Sequence, residues 1–143
     1  METDDIRAIR AVVRLARHLE SAAHELNLAQ YRVLAAVSDG DERASRVAAR
    51  LALGKPTVSA SVDALCRRGL LVRGPASDDH RAVCLRVTPD GEALLRAADA
   101  AMIRRLEAIL ARTPDAAAAR AGLAQLAVGL DATADERARA GRR

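Results

Sequence analysis

The sequence predicts a mainly α-helical chain with one small β-hairpin, that is, a winged helix-turn-helix flanked by helices on both sides. Three observations carry this expectation. From Leu51 to Gly91 a short helix ends near a glycine, a second helix opens on a proline, and two short apolar strands follow. The segment between those strands is polar and carries Asp78, Asp79, His80 and Arg81. On either side of this unit, apolar residues recur at spacings of three and four, the period of a helix with one buried face.

Each element follows from local signals. In the first helix Ile6, Ile9, Val13, Ala16, Leu19, Ala23 and Leu26 form one stripe, and Thr3 or Asp4 is placed to cap its start. Leu28 to Val37 reads as a second helix with Val33, Leu34 and Val37 inward, stopped by Ser38-Asp39-Gly40-Asp41. Ser45 is the expected cap of a short third helix through Leu51, burying Val47, Ala48 and Leu51. Gly54 is expected to make the turn. Pro56 suits the first position of a fourth helix, where a missing N–H costs nothing. Lys55, preceding it, is expected to be extended. That helix buries Val58, Val62 and Leu65 and stops at Gly69. Leu70 to Arg73 and Val83 to Val87 read as strands, with Val83, Leu85 and Val87 on the inward face. Thr88-Pro89-Asp90 opens a fifth helix reaching about Arg112, striped by Leu95, Ala98, Met102, Leu106 and Ile109. Thr113-Pro114-Asp115 repeats that signal for a sixth, expected to end near Leu130 with a frayed polar tail. Leu123, Leu126, Ala127 and Leu130 share one of its sides.

Composition narrows the function. A chain of 143 residues suits one unit. It divides into a winged helix-turn-helix lobe over 28–91 and a helical dimerisation region formed by 1–27 and 92–143. The formal net charge is +4, a balance that fits a polyanionic partner without requiring one. Lys55 is the only lysine, so almost all positive charge is guanidinium. With one Tyr and neither Phe nor Trp, the core of a single copy would be shallow, which argues for added burial in a homodimer. No apolar run spans a membrane and the N-terminus does not resemble a signal peptide, so a cytoplasmic protein is expected. Two cysteines make no disulfide framework. His18, His24 and His80 make no metal-binding spacing, and no cofactor is expected. Nothing in the chain resembles a phosphate loop, a serine elbow or a paired-carboxylate site, so an enzyme is not expected.

The fourth helix and the hairpin point to double-stranded DNA. Small and hydroxylated residues let a helix approach the floor of the major groove, where hydroxyls meet bases or phosphates and an alanine methyl meets a thymine methyl. The candidate contact set is Lys55, Pro56, Thr57, Ser59, Ala60, Ser61 and Arg67 on or beside that helix, with Arg73, Asp79, His80 and Arg81 on the hairpin. A poorly capped helix start beside Lys55 suits a phosphate. Arg81 suits a narrow minor groove, and Asp79 is placed to orient it. The plain alternative is a surface helix on which Asp63 and Arg67 form an ordinary i,i+4 pair.

At this point a family resemblance enters. Pro56-Thr57-Val58-Ser59, Val62, Leu65, Arg68-Gly69-Leu70 and Arg73 resemble the recognition helix and first wing strand of the MarR (multiple antibiotic resistance regulator) family. Asp79-His80-Arg81, Leu85, Val87-Thr88 and Gly91 resemble its wing signature. Three positions depart from the pattern and bear on which operator is read. His80 stands where a second arginine is common, Ala60 where relatives carry a polar reader, and Val87-Thr88 where Leu-Thr is usual. The resemblance implies a homodimeric repressor, less often an activator, on an imperfectly palindromic operator, released by a small molecule or an oxidant. It also implies an effector pocket where the long helices meet the wing lobe, lined by residues such as Ile9, His18, Tyr31 and Arg32. With so few aromatics, a flat phenolic effector is poorly served. Two other functions stay open: a thiol sensor switched through Cys66, and a winged-helix module that binds protein instead of DNA.

Overall fold

The structure, a computed structural model, describes residues 2–40, 43–75 and 83–141. Helix α1 (Glu2–Ala22) starts ahead of its expected caps, so Thr3 and Asp4 lie inside the first turn. Next, Asn27 accepts from the Gln30 backbone N–H at 2.8 Å, and the Gln30 side chain accepts from the Asn27 N–H at 3.2 Å. This reciprocal capping box starts α2 (Leu28–Ser38). The sequence reading missed the box, although Asn-x-x-Gln spells it.

Helix α3 (Ala44–Leu51) has Arg43 at its cap position and no side-chain cap, so Ser45 is helical and caps nothing. The chain leaves α3 through Ala52, at φ +50. The tight turn therefore falls on Ala52 and not on Gly54, which is extended and serves as the N-cap of α4 (Lys55–Arg67). Lys55 is helical, against expectation. Helix α4 begins one residue ahead of Pro56, which therefore sits at the second helical position, where its missing N–H still costs nothing.

Strands β1 (Leu71–Pro75) and β2 (Val83–Val87) pair antiparallel, with Arg73 opposite Leu85 and Leu71 opposite Val87. Cys84 and Leu85 are buried, whereas Val83 is exposed. The expected alternation therefore fails at the first residue of β2, where the hairpin has already left the core. Helix α5 (Pro89–Leu110) is capped by the Thr88 side chain, as the sequence indicates. Helix α6 (Ala116–Ala140) is capped by Asp115 rather than Thr113, with its side chain accepting from the Ala118 N–H at 2.9 Å.

Helix α6 corrects a second expectation: it continues to Ala140 instead of stopping near Leu130. Between Asp131 and Ala140 the polar tail holds four alanines, two arginines and one glutamate, all strong helix formers. Arg137 and Arg139 in the last turn also complement the helix dipole. The tail docks as well, since α6 packs on α3, Ala138 is buried, and Arg50 meets Asp135 at 3.6 Å.

Val33, Leu34, Val47, Val58, Leu65, Leu71 and Leu85 are the most deeply buried large side chains. They come from α2, α3, α4 and the hairpin, and the same core takes Leu95, Ala98 and Met102 from α5. Helix α1 runs along α5.

The lobe is joined to α5 by a close approach. Gly91 is buried, and a Cβ built on it would lie 2.2 Å from the Leu70 carbonyl oxygen and 2.7 Å from Val87 Cγ1. The backbone oxygen cannot move aside without disturbing the α4–β1 junction. Gly91→Ala is therefore expected to cost about 1–3 kcal/mol through overpacking, read as a lower urea midpoint with an unchanged slope. A variant as stable as the parent would refute the tight junction.

Candidate nucleic-acid interface

The start of α4 is an open polar surface of the wing lobe. Lys55, Pro56, Thr57, Ser59 and Ala60 are all exposed. Gly54 offers no side chain to the first turn, so the helix start has no side-chain cap. Its backbone N–H groups and the positive end of the helix dipole face outward, a setting that favours an anion. Lys55 adds a full charge there.

Ser61 does not belong to this surface. It is buried, on the same face as Val58, Val62 and Leu65. The reason is positional: Ser61 follows Val58 by three residues and precedes Leu65 by four, which places it on the inward stripe. Arg67 and Arg73 are exposed. Asp79, His80 and Arg81 lie outside the described residues.

Between α3, α4 and the hairpin lies a cleft of about 360 Å³. Ala48, Val58, Val62 and Leu85 supply apolar wall, while Ser45, Lys55, Ser59 and Arg73 supply polar atoms. The helix start and the first wing strand thus form one continuous surface.

On the plain alternative of a surface helix, Asp63 would pair with Arg67, one turn along. Instead, Arg73 Nη2 donates to Asp63 Oδ1, joining β1 to α4. The helical spacing of Asp63 from Ser59 marks it as outward-facing, but only the tertiary fold brings Arg73 to it. Arg68 turns the other way and donates to the Glu25 carbonyl at 2.7 Å, which ties the end of α4 to the loop after α1.

The four residues expected around an effector are not brought together. Ile9 is exposed on α1. Arg32 Nη2 donates to the Leu51 carbonyl at 2.6 Å, bracing α3. Tyr31 bonds to α5. Only His18 lines a cleft, of about 630 Å³ between α1 and α5, with Arg14, Leu15, Arg105, Ile109 and Arg112 nearby. The arginines of this cleft are far apart in sequence, on α1, on α5 and just past the end of α5. Cys66 is half-buried, Cys84 is buried, and neither is in a disulfide. Among the described residues, no group of His, Cys, Asp or Glu is arranged to hold a metal ion, and no helix is long and apolar enough to cross a membrane.

Comparisons with known proteins agree with this geometry. Residues 24–82 match the family model described as the MarR family. The fold is similar to the transcriptional repressor CouR bound to a 23-mer DNA duplex, at 29% identity, covering 85% of this chain and 88% of that one, with a TM-score of 0.73. It is similar to the PcaV transcriptional regulator from Streptomyces coelicolor in complex with its natural ligand, at 27% identity, 88% and 87% coverage and a TM-score of 0.65. CouR from Rhodococcus jostii RHA1 bound to p-coumaroyl-CoA shares the fold at 24% identity, 94% coverage of both chains and a TM-score of 0.75. Among curated proteins, none matches the sequence.

Tyr31 gives this region a spectroscopic handle. Its hydroxyl donates to Asp99 Oδ1 at 2.7 Å, linking α2 to α5. Burial, then the hydrogen bond and charge of Asp99, then the charge of Asp39, push the phenol from 10.0 up to about 12. Because the folded value is the higher one, stability is unaffected below about pH 10 and falls as pH rises from there through about 12. Tyr31 is the only tyrosine and there is no tryptophan, so phenolate absorbance reports this one bond. The wild type should titrate near 12, and Asp99→Ala closer to the ordinary value. Equal midpoints in the two proteins would contradict the assigned bond.

Proposed function

We propose that the chain, whose residues 24–82 match the MarR family model, is a winged-helix transcriptional regulator of that family: a homodimeric repressor of its own or neighbouring genes, released from DNA by a small molecule. Proteins of this family are transcription factors, not enzymes. One observation carries the proposal: the uncapped start of α4, with Lys55, Thr57, Ser59 and Ala60 exposed beside Arg73. A helix with this face and a positive start enters a major groove, where hydroxyls and small side chains meet base edges. Arg81, in the segment joining the strands, is assigned to the minor groove by its sequence context, with Asp79 and His80 beside it.

Self-association is supported by the flanking helices. Ile9 and Val13 on α1 are 64% exposed, and Leu126, Val128 and Leu130 on α6 are 57%, 71% and 68% exposed. A single copy leaves these apolar faces to water, and contiguous faces of this kind mark interfaces. A two-fold dimer covers them and sets two copies of α4 about one helical turn apart, roughly 34–36 Å, on a palindromic duplex. One similar structure is the repressor CouR bound to DNA, and another is CouR from Rhodococcus jostii RHA1 bound to p-coumaroyl-CoA. That precedent supports both repression and effector release here. The α1–α5 cleft, with Arg14, His18, Arg105 and Arg112, suits an effector carrying negative charge.

The test is binding of the purified protein to DNA just upstream of its own gene, against a shuffled duplex, at two salt concentrations. A dimer by sedimentation that prefers the native fragment, and weakens steeply with salt, is the expected result. Arg81→Ala should lose about 1–3 kcal/mol of operator affinity while remaining a dimer. Weak, equal binding to both duplexes argues instead for a protein-binding module. Loss of binding on peroxide treatment that Cys66→Ser prevents argues for the thiol switch.

A further inference from the structure

The Asp63–Arg73 pair is poorly placed to stabilise the fold. Its side chains are 52% and 44% exposed, and exposed pairs contribute little to stability. It also sets a negative charge on a surface whose proposed partner is a polyanion, one helical turn beyond Ser59. For attraction alone, Asp63 is a liability. For geometry it is not. Arg73 lines the same cleft as Lys55 and Ser59, and it stands on a strand, where an unrestrained guanidinium would sweep freely over nearby phosphates. Asp63 fixes it against α4. Among the described residues, this is the ion pair that joins the wing to that helix.

We propose that Asp63 is a positioning residue for DNA specificity: it holds the Arg73 guanidinium on the α4 surface and so trades general attraction to phosphates for discrimination between sequences. The inference rests on the DNA-binding function proposed above. Its physical basis is that phosphate contacts attract without carrying sequence information, whereas fixed donors beside base edges carry it. A tethered, partly neutralised Arg73 adds less to the first and more to the second.

The signature is opposite to that of a structural role. Removing Asp63 should strengthen binding to random DNA and weaken the preference for the operator. The experiment first enriches sequences from a random duplex pool with the wild-type protein. It then measures Asp63→Ala and Asp63→Glu on the enriched duplex and on a shuffled one across a salt series. For Asp63→Ala, binding to the shuffled duplex should tighten, its salt slope should steepen by about 0.9 for one added phosphate contact, and the preference ratio should fall roughly tenfold. Asp63→Glu, which keeps a carboxylate within reach, should restore much of the ratio. Parallel losses on both duplexes with an unchanged slope would mean a merely structural pair and would overturn the inference. A wild type that enriches no sequence would overturn the DNA-binding function itself, and this inference with it.

Discussion

The orientation of the wing lobe on its flanking helices depends on one small knot of backbone. Thr88 Oγ1 donates to the Gly69 carbonyl at 2.6 Å and accepts from the Gly91 N–H at 3.0 Å. The Thr88 N–H donates to the Leu70 carbonyl at 3.1 Å, and Gly91 lies against that same carbonyl. Gly69 itself sits at φ +71, a conformation that glycine adopts without penalty and that turns α4 into β1. The end of α4, both strands and the start of α5 therefore meet within a few residues. The hydrogen bonds are ordinary; the constraint comes from how many elements share them. Any rotation of α4 against α5 has to break several at once.

That knot gives the charged surface its meaning. Lys55 stands at the start of α4 and Arg67 in its last turn, with Asp63 between them and Arg73 across on β1. These groups keep fixed relative positions only because the hairpin cannot swing against the helix. A flexible wing would present the same net charge and the same arginines. It would attract a polyanion equally well and distinguish one sequence from another less well, because base recognition needs donors held to a definite direction.

What the sequence reveals and conceals follows from the range of the forces involved. Pro56, Gly69 and Thr88-Pro89 act within a turn of themselves, and the helix starts and stops that they signal occur close to where they are read. Ser61 was legible too, since its spacing from Val58 and Leu65 places it inward; reading its hydroxyl as a contact group obscured the spacing. Ala52 was not legible. Nothing about alanine marks a left-handed position, and the turn falls there because α3 and α4 must both pack on α2. The end of α6 was misread because the tail lacks large apolar residues, while its helix propensity and the docking of Ala138 on α3 outweigh that lack. The effector residues are split by packing: of the four, His18 lines the α1–α5 cleft. Ile9, His18, Tyr31 and Arg32 were grouped by resemblance, and their neighbours are set by how α1, α3 and α5 pack.

Helices α5 and α6 hold the wing lobe by unequal means. Helix α5 is fused to it through the Thr88–Gly91 knot, with backbone groups on both sides. Helix α6 reaches the opposite side of the lobe only at its far end, through buried Ala138 and the partly exposed Arg50–Asp135 pair. An exposed ion pair contributes little and is screened by salt, whereas the knot ties α4, β1 and α5 through several hydrogen bonds that must break together. Motion of the flanking helices is thus transmitted to the lobe almost rigidly through α5 and loosely through α6. If a ligand in the α1–α5 cleft shifts either helix, the stiff route is the one that turns α4, because α5 cannot move at its N-terminus without carrying the end of α4 and the base of the hairpin with it.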